Sequence, residues 1–193
     1  MNKTSYFSLF LVVFVVFFSV RGKETPATNL VERTIQKLHL DILKEPIDLD
    51  TALYKVSPNN QEETIVVIPE TVNEEEDEYE LNTNIFIVDN RTGEITQKYF
   101  ESSKSNGWTS DAIFIDNIAI DTTAYKLTQT KNAFGIIVTW RSMSQPNPYR
   151  QESISLYAQE KDSITKVLDL YSIYESSGEV NVNGCYAKFK KTV

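Results

Sequence analysis

The stretch Asn84-Ile85-Phe86-Ile87-Val88-Asp89-Asn90-Arg91-Thr92-Gly93-Glu94-Ile95-Thr96-Gln97-Lys98-Tyr99-Phe100 decides the fold. Its first half has a period of two, so Ile85, Ile87 and Asp89 share one face and Phe86 and Val88 the other. Asn90-Arg91-Thr92-Gly93 then reads as a turn. Gly93 supplies the positive φ that a three-residue hairpin loop with a bulge requires. Glu94 to Phe100 is the returning strand.

The same signals continue on both sides. Upstream, Thr64-Ile65-Val66-Val67-Ile68 is a β-branched run stopped by Pro69. Downstream, Ala112–Ile120 and Ala124–Leu127 read as strands joined by a turn at Asp121-Thr122-Thr123. The apolar run Ala133–Arg141 suits a central strand buried on both faces. Ser153–Ala158 and Ile164–Leu168 form a second hairpin around Glu160-Lys161-Asp162-Ser163, and Tyr171–Tyr174, Val180–Val182 and Cys185–Phe189 follow. Only Asn29–Leu43 carries a helical pattern, with Leu30, Val31, Ile35, Leu38, Ile42 and Leu43 on one face. Asn29 is placed to cap it, with Glu32 reaching back, and Pro46 to end it. The expected fold is mainly β, an antiparallel sandwich or barrel-like sheet with a short N-terminal helix.

The N-terminus is built as an export signal: Lys3, then the apolar run Phe7–Val20, then Arg21-Gly22-Lys23. As a helix, that run spans about 21 Å, short of the roughly 30 Å hydrocarbon core. Cleavage after Gly22 is therefore expected, with no stable membrane insertion afterwards. Residues 1–22 are read as the leader and 23–193 as a single β-rich domain in the periplasm or outside the cell. Without Lys3 and Arg21, 17 basic residues face 27 acidic ones, a net charge of −10. Such a chain repels nucleic-acid phosphate and anionic membranes; its acidity favours a basic protein partner or a divalent cation, or serves solubility alone, the commoner case.

Cys185 is the sole cysteine, so the domain has no internal disulfide. Tyr186-Ala187-Lys188-Phe189 reads as a strand in progress near the end at Val193. The reading therefore allows a chain cut short, with Cys185 deprived of a partner. The single histidine, His39, lies in the helix. Ser-His-Asp and Cys-His catalysis would both need it, and zinc held by several His or Cys is excluded by count. No Gly-rich phosphate loop is present, and no cofactor or metal is expected. Asp111, Asp116 and Asp121 recur every five residues, which alternates faces along a strand and does not converge them.

Two features carry binding chemistry. Glu74-Glu75-Glu76-Asp77-Glu78-Tyr79-Glu80 is an acidic block, read as a solvated loop, with Glu75, Glu76 and Asp77 at its centre. Trp140-Arg141-Ser142-Met143-Ser144-Gln145-Pro146-Asn147-Pro148-Tyr149-Arg150 joins two strands and is stiffened by two prolines. Trp140, Arg141, Tyr149 and Arg150 are residue types enriched at binding hot spots, and a stiff connection loses little freedom on binding; the stretch reads equally as a long β-connection whose aromatics pack on the sheet. Trp108, next to Gly107, reads equally as an exposed platform or a core plug. Asn90-Arg91-Thr92 matches a glycosylation acceptor, but the hairpin turn already explains it.

Ile87-Val88-Asp89-Asn90-Arg91-Thr92-Gly93-Glu94-Ile95, Trp108-Thr109-Ser110-Asp111-Ala112-Ile113, Ala133-Phe134-Gly135-Ile136, Asn147-Pro148-Tyr149 and Ile154-Ser155-Leu156-Tyr157 resemble segments of a loose group of exported bacterial β-rich proteins. Gly178 to Cys185 resembles that group as well. The resemblance implies no activity and assigns no functional residue. The expectation is a non-catalytic exported binding protein of the cell envelope, of inhibitor or immunity type, that meets a basic partner. The rivals are a carboxylate-dependent hydrolase and a structural or truncated protein.

Overall fold

The computed structural model describes residues 26–44, 53–75, 78–180, 184 and 186–192. Residues 1–25, Pro46 and Cys185 lie outside the described residues.

Helix α1 runs Pro26–Leu43. It begins at Pro26, whose missing N–H and fixed φ suit the first helical position. Asn29 is therefore inside the helix and does not cap it. Lys44, with φ 63°, ends it in the left-handed conformation. Val31, Ile35 and Leu38 form the buried stripe expected of one helical face.

The remainder is antiparallel β. Strands β1 (Leu53–Val56), β2 (Glu63–Glu75), β3 (Glu78–Asp89) and β4 (Ile95–Glu101) form the first sheet in that order. A single helical turn, α2 (Ser103–Asn106), leads to β5 (Thr109–Ser110), which pairs with β3. Strands β6 (Ile113–Lys126), β7 (Asn132–Ser142), β8 (Tyr149–Gln159), β9 (Ile164–Val180) and β10 (Tyr186–Thr192) form the second sheet, ordered β10-β9-β8-β7-β6. Among the described residues no strand pairing joins the two sheets, so the architecture is a sandwich and not a closed barrel.

Alternation along β2 and β3 builds three layers. Ile65, Val67, Ile85 and Ile87 face the second sheet and pack with Phe134, Ile136, Val138 and Tyr157. Val66, Ile68, Phe86 and Val88 face the other way and receive α1. The ring of Tyr157 stacks on Phe134 at 5.8 Å and meets Tyr99 edge-on at 5.3 Å. Gly93 adopts φ 73° at the hairpin turn, and its carbonyl accepts the Thr34 hydroxyl of α1 at 2.6 Å. The helix thus sits directly on the turn that needs glycine.

Four sequence expectations are corrected. Pro69 does not stop its strand: β2 continues to Glu75, and Pro69 pairs with Thr83. Among the described residues β1 pairs with β2 only as far as Val67, so no described neighbour calls on the absent N–H of Pro69. Asp121-Thr122-Thr123 is a bulge within a continuous β6. Tyr171–Tyr174 belongs to the long strand β9, not to a strand of its own. The described part of the acidic block is strand and not loop: Glu74 pairs with Tyr79 and Glu75 with Glu78 where β2 and β3 end. The central-strand expectation for Ala133–Arg141 holds, since β7 lies between β6 and β8 with Ala133 to Ile136 buried.

Candidate functional site

Trp140 and Arg141 are adjacent in sequence, as are Tyr149 and Arg150, and the strand period sends each pair to opposite faces of the second sheet. Register pairs Trp140 with Gln151 and Arg141 with Arg150. The arginines therefore lie on the outer face and the aromatic residues on the inner one.

On the outer face the two guanidinium groups share one carboxylate. Arg141 lies 3.0 Å and Arg150 3.5 Å from Asp116, and Arg150 also reaches Glu152 at 2.7 Å. Asp116 is the unpaired residue of a bulge between Ile115 and Asn117, a distortion that re-aims a side chain. Arg141 lies 5.3 Å from the centre of the Phe114 ring. A shallow cavity of about 340 Å³ adjoins the arginines, bounded by Tyr149, Ser176 and Gly178. The connection 143–148 is organised by Ser142, whose hydroxyl accepts the Tyr149 N–H and donates to the Asn147 carbonyl. Met143 stands on it, 80% exposed.

The inner face of β8 carries a polar row in an otherwise apolar sandwich. The Tyr149 hydroxyl donates to Gln151 Oε1 at 2.9 Å, and Gln151 Nε2 donates to the Ser153 hydroxyl at 3.1 Å. Glu175 Oε1 lies 3.5 Å from the Tyr149 hydroxyl. Burial, then the Glu175 charge, pushes the Tyr149 phenol up. Tyr149, Gln151 and Ser153 wall a cleft of about 340 Å³ at the open end of the sandwich, shared with Trp140, Thr109 and Asp111.

The opposite wall is pinned by α2. Ser102 caps the helical turn and Gly107 closes it at φ 68°. The Asn106 amide donates to the Leu81 carbonyl at 2.7 Å and the Thr83 hydroxyl at 2.8 Å, while its oxygen accepts the Trp108 N–H at 2.8 Å. Every bonding direction of this buried side chain except one lone pair is thereby used. Trp108 is 1% exposed and is a core plug, not a platform. Trp140 is buried too, with its indole N–H donating to the Thr109 carbonyl at 3.3 Å, and it lines the cleft.

The structure thus brings Trp140, Tyr149, Arg141 and Arg150 to one end of the second sheet, on two faces, and sets Trp108 apart in the core. The hairpin carrying the acidic block reaches the same end. Strand β5 pairs with Tyr79 and Glu80, and the Tyr79 hydroxyl donates to the Ile115 carbonyl. Glu75 lies in β2, and Glu76 and Asp77 lie outside the described residues. Gln151 and Ser153 were not singled out from the sequence, and Asp111 was read only as one of three carboxylates that do not converge. The alternation of polar side chains at Tyr149, Gln151, Ser153 and Ser155 was the available signal, since one face of that strand must look inward.

A second charged group lies between the sheets at β4 and β9. Lys166 contacts Glu101 and Asp169, each at 2.7 Å, and Tyr99 donates to Glu101 at 2.9 Å. Burial, then the Glu101 hydrogen bond, pushes the Tyr99 phenol far up, and burial does the same to Tyr157. A charged lysine beside neutral phenols is a clasp and not an activated nucleophile. Among the described residues no three His, Cys, Asp or Glu side chains are grouped to hold a metal ion. No protein-family description matches the chain, and comparison with curated proteins and with solved structures finds no significant similarity.

Proposed function

We propose that this chain is a non-catalytic exported binding protein of the cell envelope, of inhibitor or immunity type, whose open sandwich end engages a basic protein. The observation that carries the reading is the placement of two features at that one end. The acidic hairpin from Glu74 to Glu80 supplies negative potential, and the braced connection 143–148 supplies a preordered surface with Tyr149 and exposed Met143. Negative potential next to a rigid contact surface raises the encounter rate with a cationic partner and lowers the ordering cost of the contact. The charge excess of the whole chain adds to the same field.

Changing Glu74, Glu75, Glu76 and Asp77 together to amides tests the reading. Association with an immobilised basic protein slows by tenfold or more, and dissociation changes little. An unchanged association rate removes the steering role. Hydrolase activity abolished by one Asp or Glu substitution would replace the reading altogether.

A further inference from the structure

The cleft at the open end has an unbalanced charge, one carboxylate and no cation. Three of its donors are already spent within the protein: the Trp140 indole N–H on Thr109, the Tyr149 hydroxyl on Gln151, and a Gln151 amide N–H on Ser153. Its acceptors are not exhausted. Asp111 gives Oδ1 to the Ile113 N–H at 2.8 Å, and its second carboxylate oxygen remains for an incoming donor. None of the residues lining the cleft is cationic. The nearest arginines, Arg141 and Arg150, lie on the opposite face of the sheet and are held by Asp116 and Glu152, so they do not neutralise it.

A ligand for such a site brings donors and positive charge. An anion would be repelled by the Asp111 carboxylate, with no cation in the lining to offset it. A guanidinium group meets the requirement best. It carries five N–H donors and no acceptor, it is flat, and it is attracted to aromatic rings such as those of Trp140 and Tyr149. The cleft volume of about 340 Å³ and its opening beside the acidic hairpin admit one long side chain from a bound protein.

We propose that this cleft is the slot for one arginine side chain of the basic partner, with Asp111 as its counter-ion and Trp140 and Tyr149 as its aromatic walls. This rests on the reading of a basic protein partner and names the residue that such a partner inserts.

The test uses the purified chain and Nα-acetyl-arginine amide as the probe. The two tryptophan indole N–H resonances report the site. The probe shifts the Trp140 resonance saturably and leaves that of core-bound Trp108 in place. The uncharged analogue Nα-acetyl-citrulline amide binds at least tenfold more weakly. Asp111→Asn also weakens arginine binding about tenfold while its amide oxygen can still accept the Ile113 N–H, so the fold is kept. No saturable shift, or equal binding of arginine and citrulline, overturns the slot. If an immobilised basic protein still binds in a salt-sensitive manner in that case, the slot fails and the broader reading stands. If the arginine probe binds but no basic protein does, the slot stands and the broader reading fails.

Discussion

Arg141 and Arg150 stand directly opposite each other on neighbouring strands and are bridged by one carboxylate, Asp116, while Glu152 also holds Arg150. Like charges in register repel, so the pair depends on the bulge that presents Asp116 between them. Asp116→Asn is expected to destabilise the fold by about 0.5–1 kcal/mol at low ionic strength, because both guanidinium groups are about half exposed and water screens them. The loss shrinks in high salt. Thermal melts of the variant at two salt concentrations check both statements.

Gly107 carries two constraints at once. Its φ of 68° is one that a side chain resists, and a Cβ there would come 2.7 Å from Leu170 Cδ1. Gly107→Ala is expected to cost about 1–2 kcal/mol from the backbone conformation alone, with repacking of Leu170 in addition. Denaturant unfolding gives the value. A variant as stable as the parent would mean that the α2 wall is not fixed as described.

The clasp at Lys166 predicts a non-additive pair. Lys166→Met leaves Glu101, whose side chain is 12% exposed, without its cation and is expected to cost about 1–3 kcal/mol. Adding Glu101→Met removes the stranded charge and recovers part of the loss. Burial pulls the Lys166 ammonium down, but the bonds to Asp169 and Glu101 outweigh it and hold it above the usual lysine range. Its contribution is therefore complete below about pH 10 and is lost as pH rises through the folded-state value.

Asp89 predicts the acid limb of stability. The Thr92 backbone N–H, aided by that of Arg91, outweighs burial and holds its carboxyl below the usual range. Because the folded value lies below the unfolded one, the contribution is present above about pH 4 and is lost as pH falls through the folded value. Asp89→Asn is expected to flatten the fall in melting temperature over that interval. An unchanged slope would show that the turn does not depend on the charge.

Much of the fold was readable because it rests on periodicity. Ile85, Ile87, Phe86 and Val88 alternate faces as read, Gly93 makes the turn, and the helix lays Val31, Ile35 and Leu38 on the sheet. The misreadings came from context that local sequence does not contain. Pro69 breaks a strand only where a neighbour needs its N–H, and among the described residues its pairing with Thr83 carries β2 onward. Asp121-Thr122-Thr123 has turn composition, yet pairing on both sides carries the strand through it. The candidate site was legible as a segment and not as a surface. Residue types placed Trp140, Arg141, Tyr149 and Arg150 together, and the strand period then divided them between two faces. Asp111 joined the cleft only through the α2 turn, whose anchorage depends on the tertiary bonds of Asn106.

The most direct measurement is the association rate of the purified chain with an immobilised basic protein as ionic strength is raised from low to physiological. An acidic end that steers a cationic partner predicts a steep fall in the association rate, a nearly constant dissociation rate, and a much flatter dependence when Glu74, Glu75, Glu76 and Asp77 are amides. Binding indifferent to salt, or no binding at low salt, would contradict the account.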